Sequence, residues 1–394
     1  MSGLAIECAT EHVEVLVCGT DGSPSVHEIE EVGHGHTRRL APLVKRALER
    51  ASVAVRDLSW VAADLGPGSF TGVRVGLATA RALAMVAGAA LRGASSLTSL
   101  ALSSGVRRAL VVPLVPAGRR DHYAGFFRAD PRGAMHLFAA PLVGTPRAVL
   151  DAVDEARSAL GGCAVRFVGP GVPRDREQLE EVHPGSTHPE WRSAGLSALD
   201  LALAASSERG PAAGLPVHER TLSPLYVRPA QAEERVRRRV QAVEPMLLRE
   251  FRPDDVPVVA AIERRVFSDP WPEAFFLGEL RSPMIYARIV EHQGRVAGYS
   301  LAWLGEGSGH LGNLAVVPEM RRRGVARALM NDLLERAETL GVDSLALEVR
   351  VSNFAAQWLY RGYGFRVAGL RRRYYRDTGE DGLVMEWRRS GASG

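Results

Sequence analysis

The stretch that decides the fold of the second half of the chain reads Gly312-Asn-Leu-Ala-Val-Val-Pro-Glu-Met-Arg-Arg-Arg-Gly-Val-Ala-Arg-Ala-Leu329. Its apolar run at residues 314–317 predicts a buried strand, and the apolar spacing that begins at Val325 predicts a helix. The loop between them presents backbone N–H groups at a helix N-terminus, which attracts anions because those amides lack intrahelical partners. Gly324 and Ala326 leave room for a phosphate, and the neighbouring arginines supply fork-shaped donors. The stretch therefore predicts a phosphate-binding loop, with a helix start beside solvated arginines as the alternative.

The spacing of this loop, Arg-x-x-Gly-x-Ala, differs from that of a P-loop and from the Gly-x-Gly-x-x-Gly of dinucleotide-binding folds. A predicted strand at residues 344–351 and a short helix at 353–365 follow it. This order, ending in Tyr-x-x-x-Gly-Phe, resembles the GNAT family of acetyl-CoA-dependent N-acetyltransferases, an α+β fold. A wider resemblance to the RimI branch comprises residues 248–253, 267–271, 373–375 and 380–385. That branch acetylates protein N-termini, typically the N-terminal alanine of a small-subunit ribosomal protein.

The resemblance assigns the two proton carriers of an acetyl transfer. Glu348 matches the general base, acting through water, and Tyr360 matches the general acid for the coenzyme A thiolate. An N-terminal amine has a pKa of about 7.7–8.0, so a modest base suffices at neutral pH. On the residues alone, Glu348 could instead pair with Arg350 on the sheet surface, and Tyr360 could be a core aromatic beside Trp358 and Phe365. This half of the chain contains no cysteine, which favours direct attack without an acyl-enzyme.

The resemblance also implies how acetyl-CoA is held and where the peptide lies. Asn353 is expected to cap the helix that begins at Phe354 and matches a position that touches the cosubstrate. Residues 267–271 and 371–375 are expected to frame the peptide groove, with Tyr374 as its principal residue. The residues expected to bind acetyl-CoA are Leu314, Ala315, Val316, Arg322, Arg323, Gly324, Val325, Ala326, Arg327 and Asn353.

The first half of the chain has a different order of elements. Alternating and amphipathic patterns predict, in order, strands at 4–10, 13–17 and 26–32, a helix at 37–51, a strand at 58–63, a helix ending near 87 and a strand at 89–93. This βββαβα order, within an α/β class, is that of an actin-like or Hsp70-like (ASKHA) domain. Beyond it, the patterns predict strands at 110–115, 122–128 and 164–168 and helices at 147–160 and 197–207.

The first half resembles the TsaB (YeaZ) family in residues 6–10, residues 34–37 and the glycine loop Gly66-Pro-Gly-Ser-Phe-Thr-Gly-Val-Arg-Val-Gly76. The resemblance implies a non-catalytic partner of TsaD in the formation of threonylcarbamoyladenosine on tRNA. It also implies that TsaD binds the helices near 37–50 and 72–87, with TsaE as a further partner and tRNA contacted only indirectly.

Two departures separate this half of the chain from the TsaB pattern. Glu7 stands where the family has Asp, and residues 115–120 replace its usual Asp-Ala-Arg. The glycine loop could cradle a phosphate, or its glycines could permit a tight turn that packs on the rest of the domain. The sequence favours packing, because no Asp–Asp or Asp–Lys pair accompanies the loop. His34 and His36 favour a helix cap near Thr37 over a metal site, so no metal is expected.

Length and composition complete the sequence-based predictions. At 394 residues the chain exceeds a usual single domain, and we expect residues 1–228 and 246–390 to fold separately around a linker at 229–245. The charge run in that linker could also be an RNA-binding arm. Lys45 is the only lysine beside many arginines, which at a net charge of +4 indicates codon bias rather than a nucleic-acid surface. The cysteine usage, the N-terminus and the lack of a run approaching ~20 apolar residues predict a cytoplasmic protein without a membrane span.

These patterns predict a fusion of a TsaB-like scaffold and a RimI-like acetyltransferase. One rival is an assembly module that retains the acetyltransferase fold only as an interaction surface. Intact Glu348, Tyr360 and residues 321–327 favour the enzyme, since a degenerate site would lose these first. A further rival, an ATP-dependent enzyme in the first half, is disfavoured because the acidic phosphate ligands are missing.

Overall fold

The computed structural model describes residues 2–19, 23–32, 35–118, 120–187 and 246–389. The chain divides into two compact units, Met1–Gln231 and Ala232–Gly394. The predicted linker at 229–245 and the predicted helix at 197–207 lie outside the described residues.

The first unit opens with a five-stranded sheet. Its strands are β1 (Ser2–Glu7), β2 (His12–Cys18), β3 (Pro24–Glu31), β4 (Leu58–Asp64) and β5 (Ala90–Ala94). Their order is β3-β2-β1-β4-β5, in which β1 pairs antiparallel with β2 and parallel with β4. Helices α1 (His36–Ala51) and α2 (Phe70–Ala87) follow β3 and β4. This arrangement confirms the predicted ASKHA topology.

Helix α1 places an apolar stripe against this sheet, where Leu40, Leu43 and Ala47 join the core of β1 and β2. The helix begins at His36 with Gly35 as its N-cap, and Gly35 provides no side-chain cap. The predicted cap near Thr37 is therefore wrong. The physical reason is that the buried His36 imidazole bonds through Nε2 to the carbonyl of Thr10, at 2.9 Å, and so ties the helix start to the sheet.

Helix α2 is long and apolar. With 18 residues and a mean hydropathy of 1.3 it meets the length and composition criteria for a membrane span, which a core helix of a globular domain also meets. One face, with Gly76, Leu77 and Ala80, is buried. Met85 and Val86 near its end are exposed.

The second lobe of this unit contains elements that the sequence patterns did not reveal. Its elements are α3 (Ser96–Ser103), β6 (Ala109–Pro116), β7 (His122–Ala129), β8 (Met135–Gly144), α4 (Pro146–Ala159), β9 (Ala164–Val168) and α5 (Val172–Val182). The strands form a sheet in the order β8-β7-β6-β9. Strand β8 and helices α3 and α5 were not predicted. Helix α3 starts in a run of small polar residues typical of loops, and there Ser95 caps the Thr98 amide at 3.0 Å.

The second unit is a seven-stranded sheet with helices. Its elements are β10 (Leu247–Glu250), α6 (Val256–Val266), α7 (Glu273–Glu279), β11 (Ile285–His292), β12 (Arg295–Leu304), β13 (Ser308–Val316), α8 (Val325–Thr339), β14 (Ser344–Arg350), α9 (Phe354–Gly362), β15 (Arg366–Tyr375) and β16 (Glu380–Arg388). The strand order is β10-β11-β12-β13-β14-β16-β15. A 3₁₀ turn at Pro253–Asp255 precedes α6, and the short α7 was not predicted.

The sheet opens between its two central strands. Strands β13 and β14 are parallel and pair only from Ser308↔Ser344 to Leu311↔Leu347. In the ladder with β12, Asn313 pairs with Leu301 but Leu311 pairs with the next residue, so Gly312 is left as a bulge. A side chain at Gly312 would meet the Trp303 ring at 2.3 Å, so the ring would have to move to admit it. The bulge directly follows the last pair of β13 with β14, and Glu348 on β14 directly follows the same pair.

Candidate active site

The predicted base Glu348 lies on β14 where the two central strands part. Side chains along β14 alternate between buried and half-buried, and Glu348 is on the half-buried face. Its carboxylate accepts a bond from His310 Nε2 at 2.7 Å and pairs with Arg371 at 3.0 Å. The bond from His310, followed by the charges of His310 and Arg371, lowers the pKa of Glu348 despite its partial burial. The carboxylate is therefore ionised at neutral pH.

The alternative partner for Glu348, Arg350, binds elsewhere. Its guanidinium reaches Asp377 at 2.7 Å, Glu380 at 3.4 Å and Ser268 at 3.1 Å. The surface pairing of Glu348 with Arg350 is therefore wrong. Instead, Arg350 joins the loop at 267–271, which the sequence placed at the peptide groove, to the turn between β15 and β16.

His310 is the site residue that the sequence patterns missed. It lies on β13, and its ladder partner on β14 is Ala346, two residues before Glu348 on the same face. The His310 side chain is 40% exposed, whereas that of Glu348 is 7% exposed. A molecule entering from solvent therefore meets the imidazole first. The only sequence signal is a histidine on a strand, which becomes informative once the parallel register of β13 and β14 is known.

Tyr360 lies near the end of α9, and its ring packs 5.8 Å from that of Phe365. Burial raises the pKa of Tyr360 well above its ordinary value, so the phenol keeps its proton at neutral pH. Burial also raises the pKa of Tyr375, and both Tyr360 and Glu348 add to that shift. The two predicted proton carriers thus both act on the pKa of Tyr375. Tyr360 also packs as a core aromatic.

The predicted phosphate loop has the geometry of an open helix N-terminus. Gly324 precedes α8 with φ of 96°, and a Cβ there would meet nothing within 4 Å among the described atoms. The side chain of Val325 is buried in the core, so only its backbone is available to a ligand. Arg322, Arg323 and Arg327 are exposed around the turn. Positive charge and uncapped amides therefore coincide at one end of the opening.

The opening also fits the remaining predicted contacts of acetyl-CoA. Leu314, Ala315 and Val316 pair with β12 on one side. The opposite edge of β13, which faces β14, forms no ladder with β14 beyond Leu311 among the described residues. Backbone groups at that edge can therefore pair with the amides of a pantetheine arm. Asn353 caps α9 by accepting a bond from the Ala356 amide at 3.2 Å, which confirms the predicted cap.

The glycine loop of the first unit is packed against its own chain. A Cβ at Gly68 would lie 2.3 Å from the Ala9 carbonyl oxygen. Buried Glu7 and Asp64 end the adjacent parallel strands β1 and β4, an acidic pair that the sequence did not indicate. Backbone amides occupy both carboxylates, Ala9 at 2.5 Å on Glu7 and Gly66 at 2.7 Å on Asp64. His36 is bonded to the Thr10 carbonyl, and His34 lies outside the described residues.

Comparisons with known proteins cover both units. The family described as TsaD, tRNA N6-adenosine threonylcarbamoyltransferase, matches residues 30–133, and the Acetyltransferase (GNAT) family matches residues 246–365. An uncharacterized protein of Mycobacterium leprae is 31% identical over 97% of this chain and 98% of its own length. A putative [ribosomal protein bS18]-alanine N-acetyltransferase of Bacillus subtilis is 35% identical over 35% of this chain and 92% of its own length. The solved structure of YeaZ from Pseudomonas aeruginosa is 24% identical, with 57% and 99% coverage and a TM-score of 0.43.

These matches confirm the predicted pair of families and the enzyme class of the second unit. Membership of the acetyltransferase family makes acetyl-CoA the cosubstrate of the second unit. Through residues 246–389 the chain belongs to the GNAT acetyltransferase family that contains the bS18-alanine N-acetyltransferases, and a TsaB-like (YeaZ-like) unit precedes that domain.

Proposed function

We propose that the second unit transfers the acetyl group of acetyl-CoA to the N-terminal amine of a ribosomal protein, with an N-terminal alanine as the preferred acceptor. The observation that carries this proposal is the pair of His310 and Glu348 at the point where β13 and β14 separate. The strand that carries His310 also leads, through residues 317–324, to the open N-terminus of α8. The names of the relatives supply the ribosomal acceptor, because the enzyme from B. subtilis is named for bS18.

The proton transfers follow from the exposure and charge of these residues. The acceptor ammonium must lose a proton before its nitrogen can bond to the thioester carbon. His310 Nε2 is bonded to Glu348, so Nδ1 is the nitrogen that can take this proton through water. Glu348, which the resemblance assigns as the base, here has a supporting role: ionised, it stabilises the imidazolium in the way that a buried carboxylate supports a catalytic histidine. As the carbon–sulfur bond breaks, the protonated Tyr360 donates its proton to the departing thiolate.

The test is coenzyme A release with acetyl-CoA and a hexapeptide that begins with alanine. We expect turnover in the wild type and a loss of ten-fold or more in each of E348Q, H310A and Y360F. The matched control is E338Q, which removes an exposed carboxylate from the far end of α8 and should stay within two-fold of the wild type.

One alternative function is favoured by a specific observation. Tyr360 is packed as a core aromatic, as expected if the fold served only as an interaction surface. Absence of turnover with any small N-terminal residue, despite measurable acetyl-CoA binding, would contradict the enzyme and support this assembly module. Turnover that survives in Y360F but not in H310A or E348Q would remove Tyr360 alone from the mechanism.

For the first unit, we propose a non-catalytic scaffold that binds a TsaD-like protein through α1 and α2, with TsaE and tRNA reached through that complex. A groove of about 620 Å³ lies between these helices, lined by Val44, Leu48, Val53 and Leu83 among others. Nearby on α2, Met85 is 80% exposed and Val86 is 71% exposed. An apolar groove and exposed large apolar side chains are both typical of protein interfaces. The free Cys8 and Cys18 fit the reducing cytoplasm that we propose as its location.

This scaffold role is tested by the affinity of the full chain for a purified TsaD-like protein. We expect L83D to weaken binding at least ten-fold, because a charge in the groove must be desolvated in the complex. The matched control is R56E, an exposed charge change outside the lining of the groove. Equal affinity of L83D and wild type, with α1 and α2 still folded, would contradict the assigned interface.

A further inference from the structure

A buried carboxylate at the end of α6, Glu263, is not used by the mechanism above. Its residue is 1% exposed. One oxygen accepts bonds from the Tyr299 hydroxyl and from Asn313 Nδ2, the latter at 2.9 Å, and the other accepts the backbone N–H of Trp271 at 2.9 Å. No arginine, lysine or histidine of the described residues forms an ion pair with it. Glu263 is thus a buried acid held by neutral donors alone.

The donors belong to separate parts of the acetyltransferase unit. Trp271 ends the loop at 267–271, which the resemblance places at the peptide groove. Tyr299 lies on β12, and Asn313 directly follows the Gly312 bulge of β13. The single carboxylate therefore ties the peptide loop to the strand whose bulge opens the acetyl-CoA site.

The loop is connected to the catalytic histidine through aromatic rings. The Trp271 ring lies 6.3 Å from that of Trp303, which lies 5.9 Å from the His310 ring. Both indoles fill the space that a side chain at Gly312 would occupy, at 2.3 Å for Trp303 and 3.1 Å for Trp271. A shift of Trp271 would therefore propagate to the residue that we assign as proton acceptor.

The chemistry of this carboxylate is costly for a purely structural group. Burial raises the pKa of Glu263 to about 7, against the opposing effects of the Trp271 amide and Asn313. An apolar residue of similar size would fill this position without that desolvation cost. Three donors reach the two oxygens of this side chain, whereas the amide of a glutamine would offer only one accepting oxygen.

We propose that Glu263 is a positioning residue that holds the acceptor-peptide loop against the bulged strand, so that the acceptor amine arrives at His310. This assignment rests on the proposed function. It concerns the acceptor side of the reaction, so the loss of Glu263 should affect the peptide and leave the acetyl donor unaffected.

The experiment compares E263Q, Y299F and the double variant E263Q/N313D with the wild type in the full chain. The assay titrates the alanine peptide and acetyl-CoA separately. We expect E263Q to raise the KM for the peptide about ten-fold, with the KM for acetyl-CoA within two-fold of the wild type. In the double variant the side chain at 263 can donate and the side chain at 313 can accept. This variant should reverse at least half of the rise in the peptide KM. Y299F removes one donor without changing shape, and it should raise the peptide KM about two- to three-fold even if E263Q folds poorly.

The outcomes separate this assignment from the function on which it rests. An active wild type with an unchanged peptide KM in E263Q and Y299F contradicts the assignment alone. Equal losses for both substrates in Y299F contradict it as well, since they indicate general destabilisation. A wild type without turnover contradicts the proposed function and the assignment together.

Discussion

Two loops in this molecule lead from a strand through glycine into a helix, and they differ in what surrounds the glycines. In the first unit, β4 leads to α2, and a Cβ at Gly72 would lie 1.8 Å from the Cys8 carbonyl oxygen. In the second unit, β13 leads to α8, and Gly324 has open space around it. The first loop uses glycine so that backbone can pack on backbone. The second uses it for a left-handed turn of the main chain that leaves the amides exposed.

The helix caps show the same difference. Ser69 accepts a bond from the Gly72 amide at 3.2 Å, so the start of α2 is satisfied by its own chain. At the start of α8 the N-cap is Gly324, which has no side chain to offer. A glycine-rich turn before a helix therefore indicates an anion site only when its amides are left uncapped and uncovered, a property that the sequence motif alone does not contain.

The largest effect is expected at the packed loop. The change G72A places a methyl group inside the van der Waals distance of the Cys8 carbonyl, so backbone must move. We expect the first unit to lose more than about 3 kcal/mol of unfolding free energy, measured by hydrogen exchange of the α2 and β1 amides. Acetyl transfer by the second unit should stay within two-fold. Unchanged exchange in G72A would show that the two loops are equally open.

A second effect concerns the acid that begins the packed loop. Burial raises the pKa of Asp64 to about 7, against the opposing bonds from Gly66 and Ser96. The folded state therefore holds a proton that the unfolded chain releases near pH 4, and the unfolding free energy falls as pH rises through 7. Between pH 5 and pH 7 we expect a decrease of about 2 kcal/mol in the hydrogen-exchange stability of β1 and β4. D64N should flatten this slope, with Glu7 contributing what is left, and an equal slope in D64N would contradict the assignment.

The smallest of these effects is expected at the open loop. G324A requires a left-handed backbone from alanine, at a cost of about 1–2 kcal/mol, but it creates no clash. We expect the KM for acetyl-CoA to rise about ten-fold as the turn relaxes and its amides rotate. The matched control is G341A at the other end of α8, where φ is 72° and space is equally open. Similar KM values in both variants would show that the α8 N-terminus does not bind the cosubstrate.

The extent of sequence-based prediction differs between local and non-local features. The strand β14 and the Asn353 cap follow from residues close in the sequence, and both were predicted. The bond between His310 and Glu348 joins residues 38 apart and depends on strand register. Glu263 meets Asn313 across 50 residues, and a glutamate on an amphipathic helix gives no sign of that partner. The sequence patterns identify the residue types correctly, but they do not contain the strand register that brings distant residues together.

The parting of β13 and β14 has a consequence for how such an enzyme changes over evolution. On the proposed assignment, Leu314, Ala315 and Val316 contribute main-chain groups to the acetyl donor, and a main chain is the same whatever side chains it bears. On the same assignment, the acceptor is met by side chains of the 267–271 loop and of Arg371 and Tyr374. Substitutions in those segments can therefore change which protein N-terminus is accepted while the binding of acetyl-CoA is retained. One fold can in this way acquire new acceptor specificities and keep the same acetyl donor.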